Sequence, residues 1–274
     1  MTLGQGGLRG RRALVTGASR GIGPHIARAL AQAGVGQVVT AREAGGVTAL
    51  ARELEGSGIR AIGLSADLRS AADRVRLVTE ARDALGGIDI LVNNAAVDSS
   101  GAFATLTAQA IADTVETNLT APMHLTSLVL PEMLARRAGH VVNIASLAGK
   151  KAVPYEAVYG GTKAGLIEWT SALRIELRGT GVSLSAVCPG YVTGEGMFAR
   201  WGLAPPPLFG SCTPSAVAHA VVRAIERDRA EILVNSMPVR AWLAFYALVP
   251  GVANALVDRL GLTGFQRRKL GAGG

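Results

Sequence analysis

The apolar run Ala13-Leu14-Val15, followed at once by Thr16-Gly17-Ala18-Ser19-Arg20-Gly21-Ile22-Gly23 and then by a helical pattern over 25–33, constrains this chain more than any other feature. A short apolar run reads as a strand, and Pro24 and Gly34 suit the first turn and the end of a helix. Strand, glycine turn and helix in that order bring free backbone N–H groups and the positive end of a helix dipole to one point, which attracts phosphate. Glycine has no Cβ, so a pyrophosphate can lie close to the backbone there. Glycine turns have innocent uses too; the strand before and the helix after favour a nucleotide site.

The same alternation continues down the chain. Strands are expected at 37–40, 59–64, 88–92, 139–145, 182–188 and 231–234, and helices at 44–56, 71–85, 107–118, 121–137, from Tyr159 onward, and from Pro214 to 227. Strands alternating with helices at this period predict an α/β fold with a parallel sheet covered on both faces. Ligands bind such sheets at the carboxyl ends of the strands. Gly17, Asp67, Asn94, Ser146 and Pro189 all fall just past expected strand ends.

With 274 residues, 49% hydrophobic, the chain is long enough for one large core, and it is read as a single domain. The net charge is +8, but the arginines are scattered and aromatics make up only 4%. That argues against a nucleic-acid surface, where basic and aromatic residues gather, and for a surface that draws phosphorylated small molecules. Two cysteines, Cys188 and Cys212, suggest no disulfide framework, and the four histidines show no metal-ligand spacing, so no metal is expected. The first residues hold no apolar signal core and no apolar run reaches about 18 residues, so a membrane span is not expected and a cytoplasmic location fits.

Tyr159 and Lys163 stand four apart on the expected helix, a spacing that puts them on one face. Tyrosine holds its proton to about pH 10, and a fixed cation nearby would lower that value. The pair then suits general acid–base work on an oxygen. Alone it is a weak signal, because such pairs occur on many helices as a packed ring beside a solvated charge. Gly160 and Gly161 between them disfavour helix and make sense where something lies close against it.

After 37–40 the sequence reads Thr40-Ala41-Arg42, where an NAD-preferring fold commonly has an acid. Arg42, with Arg20 opposite, would pair with a 2′-phosphate, which favours NADPH. Arg42 also has a plain reading as a solvated residue opening the next helix.

Taken together, Thr16-Gly17-Ala18-Ser19-Arg20-Gly21-Ile22-Gly23, Asp67, Asn93-Asn94-Ala95-Ala96, Asn118, Ser146, Tyr159-Gly160-Gly161-Thr162-Lys163 and Pro189-Gly190 with Thr193 closely resemble the classical short-chain dehydrogenase/reductase family over about residues 10–235. The resemblance implies a doubly wound Rossmann fold of seven parallel strands and a catalytic set of Asn118, Ser146, Tyr159 and Lys163. It implies that Tyr159 gives a proton to a carbonyl oxygen as nicotinamide hydride adds to the carbon. Ser146 holds that oxygen, Lys163 tunes Tyr159 and holds the nicotinamide ribose, and Asn118 interrupts its helix to seat a relay water. Cofactor contacts are expected from Gly17, Ser19, Arg20, Gly21, Ile22, Gly23, Arg42, Asp67, Leu68, Asn94, Ala95, Tyr159, Lys163, Pro189, Gly190, Val192 and Thr193, with Asp67 accepting from the adenine amino group. Ala96 and the Gly160-Gly161-Thr162 stretch depart from the common family pattern; the latter is expected to alter helix packing, in a subunit interface for example.

Residues 193–213 break the rhythm with glycines, a proline run and large apolar groups, and read as a substrate lid. Ser146, Asp98, Leu147, Val153, Tyr191, Met197, Phe198 and Trp201 are the expected substrate contacts, for a hydrophobic or bulky carbonyl compound. Residues 238–274 form a C-terminal helical extension, read first as packing or a dimer contact, second as a substrate cover, third as a membrane-surface contact. A homodimer or homotetramer is expected. An NAD-linked alcohol or steroid dehydrogenase and a non-catalytic nucleotide sensor stay open as alternatives.

Overall fold

A computed structural model describes residues 7–271. Its centre is a seven-stranded parallel sheet in the order β3-β2-β1-β4-β5-β6-β9, formed by β1 (Arg12–Thr16), β2 (Gly36–Ala41), β3 (Ala61–Ser65), β4 (Ile90–Asn93), β5 (Gly139–Ile144), β6 (Val182–Pro189) and β9 (Glu231–Val234). The order runs outward both ways from the β1/β4 pair, the doubly wound arrangement, with its crevice where the direction reverses.

Strand periodicity divides the core. Ala13 and Val15 of β1 point into one cluster, with Ile26 and Leu30 of α1 (Ile22–Gln32), Val47 of α2 (Ala44–Glu55) and Val221 of α7 (Pro214–Glu226). Leu14 points the other way, toward Leu77 of α3 (Ala71–Leu85) and Leu125 of α5 (Ala121–Ala135), where Trp169 and Leu173 of α6 (Ala157–Glu176) also pack. Every residue of β6 is buried, as a central parallel strand covered on both faces requires. Each large side chain so buried stabilises the fold by about 1.5–3 kcal/mol.

The expected elements are present, with three adjustments. Helix α1 starts at Ile22, so Pro24 sits inside its first turn, where its missing N–H costs nothing. The pattern over 107–118 is a short helix α4 (Ala108–Val115), capped by Thr107, followed by a π-helical turn over Glu116–Thr120 that runs into α5. The 193–213 segment is less irregular than its composition suggests: β7 (Tyr191–Val192) pairs in parallel with β8 (Ser211–Cys212), bracketing two 3-10 turns. The extension forms α8 (Arg240–Leu248), α9 (Pro250–Arg259) and α10 (Leu262–Gly271). The first six residues and the last three lie outside the described residues.

Candidate active site

The turn after β1 is built by glycines that tolerate no side chain. Gly17 has φ +65°, and a Cβ on it would stand 2.6 Å from Ala95 Cα; a Cβ on Gly23 would stand 2.2 Å from the Gly17 carbonyl. Gly21, at φ +64°, caps α1 with its backbone N–H groups free of side-chain partners. Asn94 donates its amide to the carbonyls of Thr16 and Gly17 at 2.9 and 3.0 Å, and Thr16 Oγ1 accepts from the Asn94 and Ala95 N–H groups. Asn94 and Ala95 thus brace the loop. The result is a bare cradle at a helix N-terminus, which suits a pyrophosphate.

Arg20 and Arg42 are both exposed, Arg42 directly after β2. Gly196 of the 193–213 segment lies against Gly21, and Glu195 reaches His25 at 3.2 Å. Leu68 is in the core and lends its carbonyl to Arg74. Both Asp67 carboxylate oxygens accept from Arg69, at 3.1 and 2.6 Å, and that pairing, helped by Arg42, holds its carboxyl below the usual range. An adenine amino group at Asp67 would therefore share the carboxylate with Arg69.

Ser146 follows β5 with an extended backbone, and its Oγ accepts from the Ala148 N–H at 3.1 Å. It also lies close enough to the Tyr159 hydroxyl to favour the phenolate. Lys163, 2% exposed, donates to the Ile144 carbonyl at the end of β5 at 2.8 Å and stands 5.7 Å from the Tyr159 ring centre. The three side chains therefore meet above β5 and β6, as the sequence leads one to expect.

Their electrostatics differ from expectation. The Tyr159 phenol is pushed up, not down: burial dominates, the Glu156 and Asp98 carboxylates add to it, and only Ser146 opposes. The reason is geometric. Tyr159 is enclosed beside two carboxylates, while the Lys163 ammonium is anchored on the Ile144 carbonyl. Burial in turn lowers Lys163 to about 8.

The two glycines of the motif part company. A Cβ on Gly160 would stand 3.0 Å from the Ala148 carbonyl, so this glycine lets the turn after Ser146 pack onto α6. Nothing lies within 4 Å of a Cβ on Gly161, so only Gly160 meets the expected close approach.

Asn118 sits in the π-helical turn, fully buried. Its amide accepts from the Val97 N–H and donates to the Val97 carbonyl, both at 2.9 Å, and reaches Thr162 Oγ1 at 3.3 Å. The helix is interrupted as expected, but the side chain is committed to the 97 backbone; among the described residues no hydrogen bond joins it to Lys163.

Beyond β6, Gly190 packs on Asn235, leaving no room for a Cβ. Val192 lies in β7 and Thr193 is tied to the Cys212 carbonyl. Tyr191 stacks with Phe198 at 4.8 Å between ring centres. Met197, Phe198, Trp201 and Val153 are partly buried. Leu147 departs from expectation: it is core, packed with Ile167 and Cys188 because its turn folds inward beneath Gly190.

The sequence reading offered 238–274 as a possible substrate cover but named none of its residues as site residues. Phe265 of α10 stacks edge-on against Tyr191 at 5.9 Å, and Lys269, 3% exposed, donates to Glu156 at 2.6 Å and to Ser100 at 3.0 Å, 3.6 Å from Asp98. Gln266 also donates to Glu156. The signal was there: Leu262, Phe265, Gln266 and Lys269 fall at i, i+3, i+4 and i+7, one helical face. Arg267 and Arg268 between them mask that face in the linear sequence. Among the described residues no group of three or more His, Cys, Asp or Glu is placed to hold a metal ion.

Comparison with known proteins bears on this geometry. The family model described as short chain dehydrogenase matches residues 11–202. The ketoacyl reductase HetN of Nostoc sp. is 44% identical over 254 residues, covering 92% of this chain and 88% of that protein. A variant of actinorhodin polyketide ketoreductase crystallised with NADPH superposes with a TM-score of 0.76 at 35% identity, covering 84% of this chain and 96% of its own. A metagenomic short-chain oxidoreductase in complex with NADP gives 0.73 at 33% identity, covering 84% and 99%.

Proposed function

Because the chain belongs to the short-chain dehydrogenase family, we propose that it is an NADPH-dependent reductase of ketoacyl compounds, acting through Tyr159. The observation that carries this is the meeting of Tyr159, Ser146 and Lys163 beside the glycine cradle. The names of its relatives favour the ketoacyl class over other ketones.

When bound, NADPH would supply the hydride; the glycine cradle would hold its pyrophosphate, and Arg42 and Arg20 its 2′-phosphate. This chain supplies the rest. Ser146 Oγ and the Tyr159 hydroxyl both address the carbonyl oxygen and hold it in line. Tyr159 gives its proton to that oxygen as charge builds there. A phenol pushed up by burial and by Glu156 and Asp98 stays protonated at neutral pH, the state a proton donor needs. Lys163 carries the positive charge beneath the ring that makes the departing phenolate bearable. Tyr191, Phe198 and Phe265 offer the apolar wall for an acyl chain.

The test is NADPH oxidation with β-ketoacyl thioesters and with cyclic and aromatic ketones. Wild type is expected to reduce the thioesters best, and Tyr159→Phe to lose on the order of 10³-fold or more in kcat with NADPH affinity kept. Equal rates in the variant would sink the mechanism. Arg42→Asp is expected to weaken NADPH binding about tenfold or more and leave NADH little changed; an unmoved preference would remove the arginine argument.

A further inference from the structure

The inner faces of α8–α10 pack on Tyr191, Phe198, Leu203 and Phe209, through Trp242, Val257, Leu262 and Phe265. Their outer face remains. Among the described residues, half of the twelve large apolar side chains that stand exposed fall within 245–260: Phe245, Leu248, Val249, Val252, Leu256 and Leu260. The others are scattered singly, which is ordinary for a surface. Leu248 is 81% exposed and Val252 61%, at the corner between α8 and α9. Val252, Leu256 and Leu260 recur every four residues, one stripe along α9, about 100° round the helix from the buried Ala253 and Val257. This is an amphipathic corner whose apolar crest faces outward.

Its charge says what covers it. Arg240 and Arg259 are exposed at the far ends of α8 and α9, Arg267 and Arg268 are exposed on α10, and Asp258 is the only acid between 238 and 271. A second copy meeting this face would bring several arginines from each copy to the contact with only Asp258 to answer them. An anionic bilayer reverses that sign, and guanidinium groups at headgroup level with leucine and valine below them are what an interfacial helix pair presents. No described helix is long and apolar enough to cross a membrane, so the contact is with one leaflet.

We propose that the α8–α9 corner docks on the surface of an anionic phospholipid bilayer, with Leu248 and Val252 entering the acyl boundary and Arg240 and Arg259 at the headgroups.

The experiment uses the full chain with vesicles of phosphatidylcholine alone and with about a third phosphatidylglycerol. Co-sedimentation is expected on the anionic vesicles and is expected to fall steeply at high salt. Leu248→Asn with Val252→Asn is expected to cut partitioning by about tenfold or more, with melting temperature and ketone reduction in buffer unchanged. Three results would overturn the proposal: no partitioning of wild type, equal partitioning on neutral vesicles, or equal partitioning of the double variant. Light scattering without vesicles tests the other occupant. If the double variant splits an oligomer that wild type forms and wild type ignores the vesicles, the corner is a contact between copies and the proposal fails.

Discussion

At the scale of single residues, the least forgiving group outside the pocket is His140 on β5. It is wholly buried, and its Nε2 stands 2.8 Å from Ser185 Oγ. Ser185 spends its own proton on the Arg229 carbonyl, so the histidine must donate from Nε2 and leave Nδ1 bare. Among the described residues Nδ1 has no partner, so protonating it would bury an unmatched N–H and a charge. Burial accordingly lowers this imidazole from 6.5 to about 4. The sign follows. Between pH 6.5 and 4 the unfolded chain binds a proton that the folded chain refuses, so stability is complete above about 6.5 and is lost as pH falls toward 4. The full loss is on the order of 3 kcal/mol. Denaturant titrations at pH 7.5 and pH 4.5 are expected to show this loss in wild type, and a smaller one in His140→Gln. An equal loss in both would place the acid sensitivity elsewhere.

At the scale of elements, the π-helical turn is where one side chain decides a loop. Asn118 satisfies both backbone groups of Val97, and the chain from Val97 leads to Asp98 and Ser100 beside Lys269. Asn118→Ala leaves two backbone groups unmatched and is expected to cost about 2 kcal/mol, or a melting temperature lower by about 4–8 °C; an unchanged melting temperature would show that water replaces the amide freely. The presence of Asn118 in a helical pattern was legible in the sequence, and so were the strand order's ingredients, since apolar runs and glycine turns follow local rules. The β7/β8 pair was not, because two-residue strands carry no periodicity to read. The direction of the Tyr159 shift was not either. It turns on burial and on two carboxylates set by tertiary packing, none of which the four-residue spacing contains.

At the scale of the whole molecule, one buried cluster joins the two ends of the chain's logic. Asp98 comes from the loop after β4, Glu156 from the N-terminus of α6, and Lys269 from the last helix. Two carboxylates face one ammonium, and burial pushes Glu156 up while Lys269 pulls it back. Removing the cation alone would leave carboxylates in a dry site beside Tyr159, so Lys269→Met is expected to destabilise by about 3 kcal/mol. The cost would fall first on the docking of α10, read as faster hydrogen exchange over 262–271 with β4 and β5 unchanged. Because Phe265 rides on the same helix, KM for an acyl substrate is expected to rise more than kcat falls. Adding Glu156→Gln removes a buried negative charge that Lys269 no longer balances, and the double variant is expected to recover at least half of the lost stability. If the two substitutions simply add, the carboxylate and the ammonium do not answer each other, and the extension is held by its aromatic face alone.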